Sequence, residues 1–267
     1  MKNTEYPLVS VLFITYKRFD KLKETYDNFV KNCTYPNLEL IVADDGSPSK
    51  IQDKIKTIHF DKYCLSPQNK GLGFNQNQGV EAASGDYILN LQDDWNLLHP
   101  SDFLQKAVSL LQAEPKIGLI RFWGGQPNIQ QFRKQAFSLD SLDYMLFEGD
   151  KSLKSEEASS YVYSDRPHLK RKIIHEEIGM YTTEKLPVLK VELEFCKRFE
   201  ASRFDAAVIS GYEDLFDHTG LEDSFNVEQQ KENFRNKINQ TPILGWMWRA
   251  YVKFRYGHQE YQKWIRK

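Results

Sequence analysis

The sequence predicts an α/β domain, a mostly parallel sheet with helices on both faces, followed by a helical tail. Three observations lead there. Apolar, β-branched runs at residues 9–15, 38–43 and 87–91 lack the alternation of a half-solvated strand, as strands buried on both faces do. Segments of helical period separate them, so strand and helix alternate as in successive βαβ units. Two of the runs lead into paired carboxylates, Asp44-Asp45 and Asp93-Asp94. Such pairs are costly beside a core but natural where strand ends open on a ligand crevice.

The elements follow in order. After the strand at 9–15, Asp20 is placed to cap a helix in which Leu22, Tyr26, Phe29 and Val30 recur at helical spacing. Strand 38–43 and helix 49–57 come next, then a helix over 73–83 with Gly79 as its weak point. Gly85-Asp86 turns the chain into strand 87–91. Residues 100–113 form a helix with Phe103, Ala107, Leu110 and Leu111 on one face, and 117–123 a further strand. After Gly124-Gly125 the pattern changes. Residues 126–160 are polar and read as an irregular segment with short helices, of the kind that shapes a pocket over a sheet's carboxyl end. Residues 161–164 and 206–210 are strand-like, and 191–202 helical. The expected organisation is one domain over 1–225, with halves of about 1–125 and 126–225, and a helical tail over 226–267.

Composition narrows the classes. A chain of 267 residues with 40% hydrophobic and 27% charged residues is ordinary for a soluble globular protein. A net charge of −1 lacks the basic excess of a general nucleic-acid binder, so no nucleic-acid partner is expected. No apolar run is long enough to span a bilayer, and the N-terminus has no signal-peptide core. Cys33, Cys64 and Cys196 are scattered and odd in number, as free thiols of a reducing compartment are. The matches Asn32-Cys33-Thr34 and Asn239-Gln240-Thr241 to the glycosylation pattern then read as chance. A cytoplasmic location is expected.

Each chemical motif has a plain reading beside it. Alone, Asp44-Asp45-Gly46-Ser47 is better explained as a surface turn. Asp93-Asp94 alone is a capping or solvated pair beside a core Trp95. Two such pairs at strand ends of one sheet point instead to a metal and nucleotide site. There one carboxylate holds a hard cation while its neighbour reaches another group. Lys70-Gly71-Leu72-Gly73 is not a dinucleotide fingerprint, since Gln76 holds the third glycine position, and no Walker loop is present. His175-Glu176-Glu177-Ile178 lacks a second zinc histidine, with Gly179 in its place, and reads as an exposed polar helix. No cysteine has a local activating context. Glu192, Phe195 and Arg198 share a helical face, so Arg198 is placed to steady a carboxylate; alone this is an exposed ion pair. His218 alone is an ordinary structural or exposed histidine.

Taken in order, these residues resemble the family 2 glycosyltransferases, GT-A enzymes that use nucleotide-sugar donors. Val9-Ser10-Val11-Leu12-Phe13-Ile14-Thr15-Tyr16 is similar to the family's opening strand, and Asp44-Asp45-Gly46-Ser47 to its nucleobase-binding turn. Asn69-Lys70-Gly71, Asn77-Gln78-Gly79 and Ala83-Ser84-Gly85-Asp86-Tyr87-Ile88 resemble the stretch leading to the metal motif, where Gln92-Asp93-Asp94 stands at the DXD-type position. The resemblance covers roughly residues 7–225. It implies a GT-A, Rossmann-like sheet and transfer of a sugar from a nucleotide-diphosphate sugar to an acceptor hydroxyl with inversion, in polysaccharide or glycoconjugate synthesis. It places Thr15, Tyr16, Asp44, Asp45, Asn69, Gly71, Asn77 and Asp93 at the nucleotide sugar. Asp94 and His218 fall at a Mn²⁺ or Mg²⁺ ion, and Glu192, with Glu194 as alternative, at the catalytic base. The acceptor would be a saccharide, glycan or lipid-linked sugar.

Two departures stand out. Gln76 occupies the place where the family often has arginine, and Val191-Glu192 replaces the usual Glu-Asp opening of the base helix. The rivals are a nucleotidyltransferase, disfavoured because Thr15-Tyr16-Lys17-Arg18-Phe19 is a poor nucleotide loop, and a non-catalytic nucleotide-sugar or carbohydrate-binding protein of the same fold. In the tail, Trp246, Trp248, Tyr251 and Trp264 are interleaved with Arg249, Lys253 and Arg266. That composition suits either packing on the domain or peripheral contact with the inner face of a membrane. Oligomeric state is not legible.

Overall fold

The computed structural model describes residues 6–122, 136–139, 141–147, 162–212 and 215–220. The chain divides into two units, Met1–Thr219 and Gly220–Lys267. The expected tail over 226–267 lies outside the described residues, as does most of 126–160.

Nine strands form one sheet: β1 (Val9–Thr15), β2 (Leu38–Asp44), β3 (Lys62–Leu65), β4 (Tyr87–Gln92), β6 (Ile117–Arg121), β7 (Phe137–Leu139), β8 (Leu142–Leu146), β9 (His168–Arg171) and β10 (Asp205–Ile209). Their order is β3-β2-β1-β4-β9-β6-β10-β8-β7, and β5 (Trp95–Leu97) pairs separately with β11 (Phe216–His218). Only β9 and β8 run against the others, so the sheet is mostly parallel. Side chains alternate across it. Val11 and Phe13 join one core with Leu22, Phe29, Phe103 and Leu110; Leu12 and Ile14 join another with Val80, Phe195 and Phe199. Both faces are dry, which is why β1 reads as an unbroken apolar run.

The first core is covered by α1 (Phe19–Asn32) and α4 (Phe103–Ala113), the second by α3 (Leu72–Ala82) and α6 (Val188–Glu200). The short helices are α2 (Ser49–Ile55) and α5 (Ile174–Ile178). Gly79 is less a weak point of α3 than its contact point. A Cβ there would lie 2.0 Å from Leu12 Cδ1, so the missing side chain lets the helix settle on β1.

Several expectations are corrected. Arg18, not Asp20, is the N-cap of α1; Asp20 sits in the first turn, where its charge still favours the helix N-terminus. Val30 is half exposed, whereas Leu22 and Phe29 are buried as expected, with Tyr26 packed against them and Thr25 and Asn32 buried on the same helix. Residues 162–164 are not a strand, whereas His168–Arg171 is one, at the centre of the sheet. Within the supposedly irregular stretch, β7 and β8 form an antiparallel hairpin. His175 is buried against Tyr181 and Phe195 rather than exposed.

Candidate active site

Parallel pairing sets the site. Thr15 stands opposite Asp44 in the β1–β2 register, and Ile14 opposite Gln92 in β1–β4, so three strands end abreast. The ladder continues one step beyond them. Asp45 N–H donates to Thr15 C=O at 3.2 Å and Asp93 N–H to Ile14 C=O at 3.0 Å. The two carboxylate pairs are thus brought to one edge by backbone hydrogen bonds, although the chain between them is long.

The two aspartates of each pair work differently. Asp44 accepts from Ser47 N–H at 2.9 Å and from Gln52 Nε2 at 2.8 Å, which shapes the turn after β2. Asp45 accepts from Asn69 Nδ2 at 2.7 Å, Lys70 N–H at 2.8 Å and Gly71 N–H at 2.9 Å. It therefore pins the loop that enters α3. Burial raises its pKa, against the two backbone donors. Asn69 and Gly71 are thus brought to Asp45. Asn77 is not directed there. Its amide pairs both ways with Tyr181, donating to C=O at 2.9 Å and accepting from N–H at 3.0 Å, and so latches α3 to the 181 segment.

Asp93 accepts from Thr15 Oγ1 at 2.7 Å and from the Tyr16 backbone. Burial pushes its pKa up to about 7; Arg18 opposes and the Asp94 charge adds. Asp94 goes the other way. Burial would raise its pKa, but a hydrogen bond to His218 and the Arg18 charge outweigh burial and hold it below its ordinary value. Beneath them α1 supplies Thr25 Oγ1 to the Asp93 C=O at 3.0 Å and Asn32 Nδ2 to the Leu97 C=O at 2.7 Å. The buried polar residues of α1 are there to hold the 93–97 segment.

His218 arrives from far along the chain. β11 pairs with β5 so that His218 faces Trp95, and the two rings stack at 4.4 Å and 9°. Its Nε2 lies 3.5 Å from Asp94 Oδ2, while Thr219 N–H fixes the Asp94 C=O at 2.9 Å. Asp94 Oδ1 is buried with no partner among the described residues. An orphaned carboxylate oxygen beside an imidazole is a donor set suited to a divalent cation. No group of three or more His, Cys, Asp or Glu surrounds a common point among the described residues, so such an ion would need outside oxygens to complete its shell.

Glu192 and Glu194 separate cleanly. Arg198 forks onto Glu194, with Nε at 2.8 Å and Nη2 at 2.7 Å, and also binds the Met180 C=O. The expected support of Glu192 by Arg198 is therefore corrected: Arg198 steadies the other glutamate. Glu192 is half-buried and accepts from the Asp165 N–H at 3.1 Å. Burial first, then the Asp165 charge, push its pKa up to about 6 against hydrogen bonds from Ser164 and Asp165 N–H. Asp165 is fully enclosed, accepting from Tyr163 Oη at 2.6 Å and Gln76 Nε2 at 3.1 Å. Tyr163 and Tyr181 hydroxyls meet at 2.7 Å, and the buried Lys170 donates to Tyr181. Gln76, at the place of the family's usual arginine, thus bonds to a carboxylate inside the protein.

Asp165, Lys170 and Arg18 were not singled out for the site from sequence. Asp165 and Lys170 lie in a stretch without periodic pattern. For Arg18 the available signal was its place directly after the first strand, beside the crevice.

Residues 10–180, more than half of the chain, match the family described as Glycosyl transferase family 2, and the chain belongs to that family. It is 29% identical over 157 residues to an uncharacterized glycosyltransferase of Rickettsia typhi, covering 55% of this chain and 47% of that protein. It is 32% identical over 108 residues to the GalNAc(5)-diNAcBac-PP-undecaprenol beta-1,3-glucosyltransferase of Campylobacter jejuni, covering 38% and 35%. The matches thus span less than half the length of these relatives. Among solved structures, the mannosyltransferase PcManGT from Pyrobaculum calidifontis in complex with GDP-Man and Mn²⁺ superimposes with TM-score 0.57 at 16% identity, over 89% of this chain and 64% of that one. S. aureus TarS 1-349 gives TM-score 0.56 at 17% identity, over 85% and 63%. The fold is that of the GT-A glycosyltransferases.

Proposed function

We propose that this chain is a metal-dependent, inverting glycosyltransferase that moves a sugar from a nucleoside-diphosphate sugar to an acceptor hydroxyl in the synthesis of a cell-surface polysaccharide or glycoconjugate. The observation that carries this reading is the meeting of His218 Nε2 with Asp94 Oδ2 at 3.5 Å beside the orphaned Asp94 Oδ1. A nucleoside diphosphate supplies the further oxygens that such a centre requires. A bound Mn²⁺ or Mg²⁺ would neutralise charge on the departing diphosphate. Asp94 and His218 would hold it, the imidazole favouring Mn²⁺.

The other residues take roles by position. Asp44 and Asp45 shape the turn and loop that receive the nucleobase, with Asn69 and Gly71 on the same loop, and Thr15 and Tyr16 hold Asp93 towards the ribose. Asn77 would serve the donor only indirectly, by latching α3 to the 181 segment. Glu192 removes the acceptor's proton; with Glu194 held by Arg198, Glu192 is the carboxylate left to act. Attack from the face opposite the diphosphate inverts the anomeric centre. The GDP-Man and UDP bound by structural neighbours support a nucleotide-sugar donor. The undecaprenol-linked substrate in the C. jejuni relative's name supports a lipid-linked acceptor. A peripheral membrane contact through 226–267 would serve that acceptor and rests on composition alone. No helix of the described residues is long and apolar enough to cross a membrane.

The test is donor hydrolysis and transfer across UDP-, GDP- and dTDP-sugars, with and without Mn²⁺, for the intact chain and Asp94→Ala. Metal-stimulated turnover that disappears in the variant is expected. Near-normal turnover of Asp94→Ala at saturating donor would refute the metal assignment.

A further inference from the structure

Arg18 touches both carboxylates of the metal motif. Its Nη1 lies 3.2 Å from Asp93 Oδ1 and 2.9 Å from Asp94 Oδ2. The opposite edge, Nε and Nη2, is buried and has no partner among the described residues. A guanidinium presents five N–H donors in a planar fork. Leaving buried donors unmade is costly, so an edge kept in this state is one awaiting a ligand. In shape and charge it matches two oxygens of a phosphate.

The backbone is arranged to put it there. Lys17 has φ 61°, a left-handed conformation uncommon outside glycine, and its N–H is fixed by Ser47 Oγ at 2.7 Å. The turn after β2 therefore sets the turn after β1. Arg18 is also the N-cap of α1 without making a side-chain cap, so its side chain serves the crevice and not the helix. Meanwhile α3 offers Gln76, whose amide is committed to Asp165.

We infer that Arg18 is the diphosphate-binding cation of this site: its Nη1 holds Asp94 until a divalent ion competes for it, and its unpaired Nε–Nη2 edge turns to the phosphates of the donor when they bind. The inference rests on Asp94 being a metal carboxylate. It makes two opposite predictions for one substitution. Removing the guanidinium frees Asp94, which favours the metal, and removes phosphate donors, which disfavours the nucleotide.

The test uses the intact chain as wild type, Arg18→Gln, Arg18→Lys and Asp94→Asn. Mn²⁺ binding without nucleotide is followed by loss of the free-ion EPR signal, and UDP and GDP binding at saturating Mn²⁺ by calorimetry. Arg18→Gln is expected to bind Mn²⁺ several-fold tighter and the preferred nucleotide about tenfold or more weaker, the scale of a lost charge-assisted hydrogen bond. Arg18→Lys should recover only part of the nucleotide affinity, because it restores charge without the fork. Unchanged nucleotide affinity in a normally folded Arg18→Gln overturns the inference. So does weakened Mn²⁺ binding in that variant, which would make Arg18 a strut for the carboxylates. Asp94→Asn separates the two levels. If it binds Mn²⁺ as wild type does, the metal reading itself has failed; if it loses Mn²⁺ while Arg18→Gln is unchanged throughout, only the role of Arg18 falls.

Discussion

Glu192 and Glu194 stand two residues apart on one helix, yet their surroundings give them opposite uses. A two-pronged bond to Arg198 occupies Glu194 as an acceptor. Glu192 is half-buried beside Asp165, with its pKa pushed up to about 6, close to the value at which a carboxylate both ionises and accepts a proton efficiently near neutrality. A base must be deprotonated, so transfer should be full above that value and fall as pH drops through about 6. Glu192→Gln should keep donor binding and lose about 10²–10⁴-fold in kcat, the usual worth of a positioned base. Asp165→Asn removes the second cause of the raised value, so the acid limb of kcat/KM should move to lower pH. An acid limb that stays put or rises in Asp165→Asn would show that its charge does not set the base. The pairing of Arg198 with Glu194 was available in the sequence, because four residues is the favoured spacing for a helical ion pair and six is not. The proximity of Asp165 was not, since it comes from a loop whose position depends on the packing of Tyr163 and Tyr181.

At the level of elements, the turn after β2 and the loop before α3 are one device. Gly46 has φ 75°, and a Cβ on it would lie 2.1 Å from the Gln68 carbonyl carbon and 2.4 Å from Asn69 N. Its missing side chain lets the two backbones touch, and the touch is what allows Asp45 to hold Asn69, Lys70 and Gly71. Gly46→Ala should therefore cost about 2–4 kcal/mol in urea unfolding, from the left-handed backbone and the main-chain clash together. It should also raise the donor KM more than it lowers kcat. Wild-type stability and donor KM in that variant would mean the loop yields without consequence. The sequence announced those elements whose burial is apolar on both faces: β1, β2 and β4 are unmistakable. It hid β9, the central antiparallel strand, because its buried side chains include His168 and Lys170, which break the apolar run and are satisfied by polar partners. It hid β3 because Lys62-Tyr63-Cys64-Leu65 is a short, partly exposed edge strand. The ribbon of β5 and β11 was equally silent, being three residues long on each side and more than a hundred residues apart.

Across the whole molecule, buried carboxylates gather at both ends of the parallel strands, and which end they occupy separates their roles. Asp44, Asp45, Asp93 and Asp94 lie at carboxyl ends, where open α/β sheets bind ligands. Glu39 lies at the opposite end, near the start of β2, and ties that end together. It accepts from Ser10 Oγ of β1 at 2.6 Å and from Ser84 N–H ahead of β4 at 2.8 Å, and it pairs with Lys62 of β3 at 2.7 Å. Three strands and the turn into a fourth thus meet on one carboxylate. Burial works to raise its pKa, but Lys62, Ser10 and Ser84 together outweigh it and bring it down to about 2 from an ordinary 4.5. A lowered folded value means the unfolded chain takes up the proton first. The stabilisation is therefore complete above about pH 4.5 and is lost as pH falls from there towards about 2. At about 1.4 kcal/mol per pH unit the upper bound is roughly 3 kcal/mol. Because Lys62 is about a third exposed, solvent screening reduces the expected figure to about 1–2 kcal/mol. Glu39→Gln should lower urea stability by that amount at pH 7 while leaving the donor KM and kcat unchanged, since nothing at the carboxyl ends depends on it. Between about pH 5 and pH 2 the stability of the variant should fall less steeply than that of the wild type. Parallel acid-denaturation curves for the two proteins would show that Glu39 does not bind the strands in the way its hydrogen bonds indicate.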